Sequence, residues 1–495
     1  MSAGRSGDWT QRVSGHLLLK QFASIMPQAV SVWCRDLGHQ VFYATYYGQK
    51  DPKHLLPNDL DLVFISGHTQ ASALAYALAK LYRQEKTVTV IGGPHAKQFS
   101  NDCLRFFDVV VRDCDRALIA EILDAAPLGE IVTSGRTLQS IPSVQERMPE
   151  IRASTFWRGR PYPFASISLV TSMGCPYSCD FCVDWNKPYV LLPLERLEAD
   201  LRFILDSFPR VIVGFHDANF AVKFDEVLAV LEKVPQDGRK RYIMESSLSV
   251  LRRSRLERLQ NVGCLYMIPG VESWAAYSDK AAAGPALSGR EKLDRVVEHF
   301  ELIHAYIPGL QAGLMFGLDV DEGDEPVELT KEFMTRAPFV WPIVGVPTPF
   351  GETPFYDRYL AEGRILTSMP FAFYYGPYLV TTLKNYGPVA YYEKLVEMFS
   401  HMTSGNMLFK RLQTTSGRIR LAHVARTVGF RRMLGTLRHF AELMKTDRQF
   451  RAFHEGESPT LPEFYHRQYE RSLGRYAALM SREDRQPVHN RPGHA

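Results

Sequence analysis

The sequence contains few cysteines and no long apolar run. It has 7 cysteines in 495 residues, without the spacing of a disulfide framework, so we predict a cytoplasmic protein in a reducing compartment. No apolar run approaches the roughly 18 residues that a membrane-spanning helix requires, and the polar first residues lack the apolar core of a signal peptide. The formal net charge of +4 is small, so neither a membrane nor a nucleic acid is expected as a partner.

The remaining composition is that of a folded chain. Hydrophobic residues make up 45% and charged residues 23% of the sequence, which allows a large core. The length predicts about three domains.

Three of the seven cysteines lie in one short run. Cys175, Cys179 and Cys182 have the spacing C-x3-C-x2-C. Three thiolates this close can hold an iron–sulfur cluster and leave one iron open to another ligand. A zinc site usually takes a fourth ligand and C-x2-C pairs, and no second pair exists here. We therefore favour a cluster, with zinc or plain packing as the alternatives.

An aromatic residue, Phe181, directly precedes the last of these cysteines. With it, the motif resembles the signature of radical S-adenosylmethionine (radical SAM) enzymes. The resemblance implies a four-iron four-sulfur (4Fe-4S) cluster at Cys175, Cys179 and Cys182, whose open iron binds SAM. It also implies that Phe181 lies near the adenine.

In the N-terminal third, strand and helix signals alternate from residue 61 onward. The β-branched runs at 61–66 and 87–91 predict buried strands, and the alanine-rich segment 70–85 predicts a helix between them. Such alternation is typical of a doubly wound (Rossmann-like) parallel sheet within the α/β class. Further strands are predicted at 16–20 and 40–45.

Two glycine-containing loops follow these strands, and ligands of such sheets bind at the carboxyl ends of strands. Neither loop matches G-x-G-x-x-G, so a dinucleotide site is unsupported. Glycines that only permit a tight turn are the structural alternative to a ligand loop. Ahead of a radical SAM motif, this arrangement resembles the cobalamin-binding domain of cobalamin-dependent radical SAM enzymes. The resemblance implies that six loop residues contact cobalamin: Ser66, Gly67, Thr69, Gly92, Gly93 and Pro94.

The D-x-H-x-x-G motif, which supplies a histidine to cobalt in other cobalamin proteins, is absent here. Many radical SAM members of the group also lack it. His68 and His95 are interpreted as loop or packing residues.

The segment 165–347 repeats a strand–helix unit six times. This pattern predicts a partial (β/α)6 barrel with its functional residues at the carboxyl ends of the strands, and radical SAM cores resemble such a barrel. Asp217, Glu245 and Glu272 stand at three of these ends. Carboxylates accept hydrogen bonds from ribose hydroxyls and amino groups, so all three are candidate SAM contacts. A helix cap at Asp217 and an ion pair at Glu272 are the alternatives.

These patterns divide the chain into five parts. They are a cobalamin-binding-like domain at 1–130, a linker at 131–164, a radical SAM core at 165–366, a helical C-terminal domain at 367–480 and a disordered tail at 481–495.

The C-terminal part has two compositional features. Aromatic residues at 371–392 either line a substrate pocket or pack in a core. The Arg-rich helices up to residue 480 are expected to show polar outer faces, as a solvated cap rather than a binding patch.

The resemblance also implies a function. SAM is cleaved to a 5′-deoxyadenosyl radical, which removes a hydrogen atom from an unactivated carbon, and methylcobalamin then methylates that carbon. The expected partners are a small-molecule substrate and a reducing protein such as flavodoxin or ferredoxin. Two alternatives remain open: a cobalamin-dependent ring-forming or oxidative cyclase, and a non-catalytic cobalamin or redox sensor. No catalytic residue beyond the cofactor contacts can be named.

Overall fold

A computed structural model describes residues 24–48, 51–162, 165–235, 239, 241–277 and 287–490. Its framework consists of two parallel sheets, flanked by helices and followed by a helical C-terminal part. None of the described helices is long and apolar enough to cross a bilayer.

The first sheet comes from the N-terminal third and confirms the predicted parallel α/β arrangement. Its four strands are β1 (Leu62–Ser66), β2 (Val88–Gly92), β3 (Val109–Val111) and β4 (Glu130–Val132). They are parallel and lie side by side in chain order, so the reversal of strand order that defines a doubly wound sheet is not seen among the described strands.

Helices cover both faces of this sheet. They are α1 (Ile25–Asp36), α2 (Ser72–Arg83), α3 (Pro94–Gln98), α4 (Ser100–Leu104) and α5 (Arg116–Asp124). Helices α1 and α5 share a core with alternate side chains of β3, whereas α2 packs on the opposite face. Side chains that alternate along each strand therefore reach two separate cores.

The predicted strand at 40–45 is wrong, and the one at 16–20 lies outside the described residues. Residues 40–45 form no strand, and none of them is fully buried. A segment without a buried face has nothing to fix it in a sheet.

The second sheet has the six predicted parallel strands. They are β5 (Ser166–Leu169), β6 (Ile212–Phe215), β7 (Tyr242–Glu245), β8 (Cys264–Ile268 with Gly270–Glu272, interrupted at Pro269), β9 (Gly309–Met315) and β10 (Val340–Gly345). They lie in chain order with β5 and β10 at the two edges, so the sheet is open. A linking helix, α6 (Met148–Thr155), precedes β5.

Helices alternate with these strands as the sequence predicts. They are α7 (Leu194–Ser207), α8 (Phe224–Lys233), α9 (Arg253–Asn261), α10 (Gly289–His304) and α11 (Glu325–Arg336). Because every strand runs in the same direction, the loops after the strands all emerge at one edge.

The C-terminal part is helical. Its helices are α12 (Pro354–Ala361), α13 (Pro388–Met402), α14 (Gly405–Thr414), α15 (Gly417–Thr446), α16 (Arg448–His454) and α17 (Glu463–Leu473). Most of the aromatic side chains at 371–392 are buried in a core that these helices share with α2 of the first sheet. They are therefore mainly packing residues.

The prediction of a disordered tail is wrong for residues 481–490. The backbone N–H of Val488 donates to Asp102 at 2.8 Å, and the Asn490 amide donates to the Gln98 carbonyl at 2.8 Å. Arg105 also donates to the Gln486 carbonyl at 2.6 Å. The polar groups of this segment form hydrogen bonds with polar groups on the helices of the first sheet. Sequence composition alone does not show whether such groups bond to the protein or to water.

Candidate functional site

The cysteine loop begins at the carboxyl end of β5 and is closed at its base by a short antiparallel pair, Ser172–Met173 with Val190–Leu191. Gly174 is the first residue of the loop and has φ +71°. It lies close to the part of the chain that returns at the end of the loop. A Cβ at this position would overlap the carbonyl oxygen of Pro188 and lie 2.7 Å from that of Lys187. The loop therefore requires glycine immediately before its first cysteine.

None of the three cysteines of the loop forms a disulfide. Cys175 is buried, whereas Cys179 and Cys182 are partly exposed, and the N–H of Cys182 donates to the Cys179 carbonyl at 3.0 Å. Among the described residues, no group of three His, Cys, Asp or Glu side chains is arranged to hold a metal ion. Three thiols on one loop match the donor set of an iron–sulfur cluster.

Asp217, predicted to contact SAM, lies just after β6 as expected and is hydrogen-bonded within the protein. Its carboxylate is 2% exposed and accepts hydrogen bonds from the N–H (3.0 Å) and hydroxyl (2.6 Å) of Thr171 and from the hydroxyl of Ser172 (2.7 Å). Burial raises the pKa of Asp217, and these donors act against that shift. The Asp217 side chain thus fixes Thr171 and Ser172, which lie just before the cysteine loop. Its oxygens already accept hydrogen bonds from these two residues.

The residues beside Phe181 form a second anchor for the loop. The Asp180 carboxylate accepts hydrogen bonds from the Tyr277 hydroxyl (2.8 Å) and from Arg358 of α12 (3.1 Å). Phe181 stacks on Tyr277, with ring centroids 5.9 Å apart and an interplanar angle of 17°. Sequence reasoning missed Tyr277 and Arg358, which carry no motif and meet Asp180 only through the fold.

Glu245 lies where it was predicted, exposed at the carboxyl end of β7. Glu272 ends β8 with φ +68°, a conformation that non-glycine residues rarely adopt. Its carboxylate folds back over Gly270, where a Cβ would overlap Oε1. The structure thus brings both carboxylates and the cysteine loop to one edge of the second sheet.

Two buried charges support the segment after Glu272. Asp321 accepts from the Ser273 hydroxyl at 3.0 Å and from the N–H of Gly317 at 2.9 Å. The ammonium of Lys292 donates to the Ser273 carbonyl at 2.6 Å, and burial lowers the pKa of Lys292 to about 8. The sequence indicates a solvated turn or a cap at Asp321, but only 2% of this residue is exposed.

The two glycine loops of the first sheet are tied together. Gly93 has φ +90°, and a Cβ there would lie 2.6 Å from the Ser66 hydroxyl oxygen. The N–H of His95 donates to the Gly67 carbonyl at 3.2 Å, and the Thr69 hydroxyl donates to Gln98 at 2.7 Å. Gly93 is therefore needed for the close approach of the two loops, whether or not a ligand binds there.

His95 is a packing residue, as predicted. It is fully buried and lies 2.6 Å from the Tyr76 hydroxyl, which in turn donates to Asp102 at 2.6 Å. Burial lowers the pKa of His95 to about 3, so the imidazole is neutral in the folded protein.

The first sheet and the cysteine loop meet through residues 351–352, which follow β10. A Cβ at Gly351 would overlap the Gln98 carbonyl of α3. The Glu352 carboxylate pairs with Arg112 after β3, and its carbonyl accepts a hydrogen bond from the Trp185 indole. The carboxyl-end loops of the two sheets therefore face each other.

A polar cavity of about 240 Å³ opens beside the cysteine loop. Its walls include Tyr177 from the loop, Asn219 after β6, and Ser249 and Arg252 after β7. The Tyr177 hydroxyl lies 2.5 Å from that of Ser249. Pro176 and Tyr177, which lie between the first two cysteines, form part of the cavity wall.

Known proteins resemble this chain in sequence. The Radical SAM superfamily profile matches residues 169–333. The bacteriochlorophyllide d C-8(2)-methyltransferase of Chlorobaculum tepidum is 21% identical over 403 residues, which cover 76% of this chain and 84% of that protein. The hopanoid C-3 methylase of Methylococcus capsulatus is 27% identical over 222 residues, 43% of this chain and 39% of that protein.

Two solved structures resemble the fold. The cobalamin-dependent radical SAM enzyme OxsB, with aqua-cobalamin bound, matches with a TM-score of 0.56 over 93% of this chain and 79% of that one, at 12% identity. The radical SAM methyltransferase TsrM from Kitasatospora setae, with tryptophan and a SAM analogue bound, matches with a TM-score of 0.50 over 71% and 75%, at 16% identity.

These findings show which proteins the chain resembles. Residues 169–333 match the Radical SAM superfamily, and homologues of the chain include methyltransferases. Its fold is that of solved cobalamin-dependent radical SAM enzymes, so the predicted resemblance is confirmed at this level.

Proposed function

We propose that this chain is a radical SAM methyltransferase that uses cobalamin to methylate an unactivated carbon of a small molecule. The observation that carries the proposal is the C-x3-C-x2-C loop at the carboxyl edge of the second sheet, facing the glycine loops of the first sheet across residues 351–352. The methyltransferase names of the homologues favour methylation over ring formation and over a sensor.

In this proposal, Cys175, Cys179 and Cys182 hold a 4Fe-4S cluster. Glu245 and Glu272 accept hydrogen bonds from the ribose or amino group of SAM, and the Phe181–Tyr277 stack forms an aromatic wall near its adenine. When bound, the cluster with SAM would supply a 5′-deoxyadenosyl radical for hydrogen abstraction, and cobalamin would supply the methyl group. Asp217 positions the loop instead of contacting SAM.

The first sheet's loops would hold the cobalamin. Ser66, Gly67 and Thr69 after β1, and Gly92, Gly93 and Pro94 after β2, lie together at one sheet edge. Backbone at the glycines can approach a ligand closely because no Cβ intervenes.

We assign one role to each of the predicted segments. We assign cobalamin binding to 1–130, the linker to 131–164, the radical chemistry to 165–366 and the covering helices to 367–480. A reducing protein such as flavodoxin or ferredoxin would supply the electron for SAM cleavage. The protein's own task is to hold the substrate carbon in position and to exclude water from the site.

The decisive experiment is anaerobic reconstitution with iron, sulfide and hydroxocobalamin. We expect about four irons and one cobalt per chain, together with dithionite-dependent formation of 5′-deoxyadenosine from SAM. Iron with SAM cleavage but without cobalt would rule out cobalamin-dependent methylation. Neither iron nor cleavage would overturn the whole proposal.

A matched pair of variants tests whether iron binding depends on the proposed cluster ligands or on any cysteine of the chain. Cys179→Ser should lose most of the iron and all SAM cleavage. Cys114→Ser, at a partly exposed cysteine outside the loop, should retain both.

A further inference from the structure

The outer face of helix α15 is not uniformly polar, although the sequence predicts that it is, because it also exposes apolar side chains. Leu421, Val424 and Val428 are 69%, 37% and 54% exposed. Their spacing of three and four residues places them within about 60° of arc on one side of the helix. We call these three residues the apolar stripe.

The opposite side of α15 is held firmly, so the apolar stripe cannot turn inward. Ile419, His423 and Leu437 are buried. The His423 ring lies 5.8 Å from the Trp341 ring of β10, and the Arg426 guanidinium lies 5.0 Å from the Tyr266 ring of β8. The orientation of the helix is fixed by the second sheet beneath it.

The apolar stripe is surrounded by positive charge. Residues 405–438 contain eight Lys or Arg residues and no Asp or Glu. Five arginines of α15 are exposed: Arg418, Arg420, Arg431, Arg432 and Arg438. Among the residues that the structure describes, none of the five lies within 4.0 Å of a carboxylate oxygen.

The neighbouring helix α14 has the same character. Phe409 is 58% exposed, and Lys410 follows it directly. Four of the chain's large exposed apolar side chains therefore fall within twenty residues, on two consecutive helices.

The exposed side chains of α14 and α15 indicate which kind of partner binds there. A second copy of the chain would bring two wholly cationic faces together, and like charges oppose such contact. A nucleic acid would use the arginines but would leave the apolar side chains in water. An exposed apolar stripe flanked by arginines is the pattern of a helix that lies in the surface of an anionic bilayer.

We propose that α15 docks this protein on the surface of an anionic membrane. Leu421, Val424 and Val428 enter the headgroup region, and the flanking arginines contact lipid phosphates. This peripheral contact differs from a spanning helix and replaces the expectation that no membrane is involved. It goes beyond the proposed methyl transfer and does not depend on it.

The test is co-sedimentation of the full chain with phosphatidylglycerol–phosphatidylcholine vesicles, compared with phosphatidylcholine alone. We expect at least tenfold tighter binding to the anionic vesicles and a marked loss of binding at 0.5 M salt, because salt screens the arginines. The assay needs no cluster, cobalamin or turnover, so its failure is distinguishable from failure of the proposed function.

Two variants assign the binding to this face. Leu421→Ser/Val424→Ser/Val428→Ser and Arg418→Gln/Arg432→Gln/Arg438→Gln should each weaken vesicle binding by at least fivefold. The control Leu128→Ser/Arg253→Gln changes an exposed leucine and an exposed arginine elsewhere and should bind like the wild type. Circular dichroism and thermal melting confirm that each variant is folded.

Three outcomes would overturn the proposal. The first is absence of binding to anionic vesicles, and the second is binding that the α15 variants leave unchanged. The third is a dimer in solution that the apolar-stripe variant dissociates while vesicle binding is absent, which would mean that a second copy covers this face.

Discussion

At the scale of single residues, the Asp217 carboxylate shows how a side chain at a strand end can be bonded within the protein. Asp217 was expected to contact SAM, but its oxygens accept hydrogen bonds from Thr171 and Ser172. Both of these residues immediately precede the cysteine loop. The carboxylate therefore acts on the site by fixing the loop's first residues.

Replacing Asp217 should weaken the cysteine loop. In Asp217→Asn the new amide group faces donors, so at least one hydrogen bond is lost in a buried site, at a cost of about 1–3 kcal/mol. We expect lower free energy of unfolding in urea and severalfold less iron per chain after reconstitution. Asp206→Asn, at an exposed position of α7, should match the wild type in both measurements. Normal iron content and stability in Asp217→Asn would show that the carboxylate does not position the loop.

His95 should make folding sensitive to acid. Its folded pKa, about 3, lies below the ordinary 6.5, so between these values the unfolded state binds more protons and stability falls as the pH falls. His95→Gln loses the Tyr76 contact at every pH, and it also lacks this pH dependence because glutamine does not titrate. The stability difference between wild type and variant should therefore shrink below pH 6.5, by roughly 1.4 kcal/mol per pH unit. Urea unfolding between pH 5 and 8 measures it, and His39→Gln, at an exposed histidine, should show no such trend.

At the scale of secondary-structure elements, the cysteine loop depends on its backbone as much as on its thiols. The short antiparallel pair at its base brings residues 187–188 against Gly174. That contact leaves no space for a side chain, and the positive φ adds strain for any residue but glycine.

Gly174→Ala should open the base of the loop. The new methyl group meets the backbone carbonyls of Lys187 and Pro188, which lie just before the returning strand (Val190–Leu191), rather than a flexible side chain. We expect severe loss of iron retention and of SAM cleavage, measured after anaerobic reconstitution. Gly135→Ala is the matched control, since Gly135 has φ +61° but no atom within 4 Å of the place that a methyl group would take, and it should keep its iron. Equal iron content in both variants would contradict the argument.

At the scale of the whole molecule, the C-terminal segment joins distant parts of the chain. Residues 481–490 satisfy Asp102 and Gln98 in the first sheet's helices, and the His489 ring lies against Tyr356 of α12. The segment thus connects the first sheet to the helix that also anchors Asp180.

Ending the chain after Met480 should destabilise the protein. The deletion removes the Val488 N–H from the buried carboxylate of Asp102 and uncovers the Gln98 carbonyl. Each buried group left unsatisfied costs about 1–3 kcal/mol. We expect a lower midpoint of thermal unfolding by circular dichroism, whereas a chain ended after Asn490, which retains these contacts, serves as the control. Identical midpoints would mean that the segment contributes no stability.

Much of the architecture follows from local patterns in the sequence. The cysteine spacing, the six strand–helix repeats and the glycine-containing loops are all short-range signals, and each predicts an element by its own periodicity or backbone freedom. That is why the second sheet has six strands alternating with helices, as the sequence predicts.

The tertiary structure decided which side chains meet. Tyr277 and Arg358 reach Asp180 from positions 97 and 178 residues away. Likewise, the packing of neighbouring elements turns Asp217 toward Thr171 and leaves the apolar stripe of α15 exposed. The sequence by itself determined the cluster-binding motif and the strand–helix alternation, since both depend on neighbours along the chain. Contacts between distant residues depend on how whole elements pack, and only the folded chain determines those.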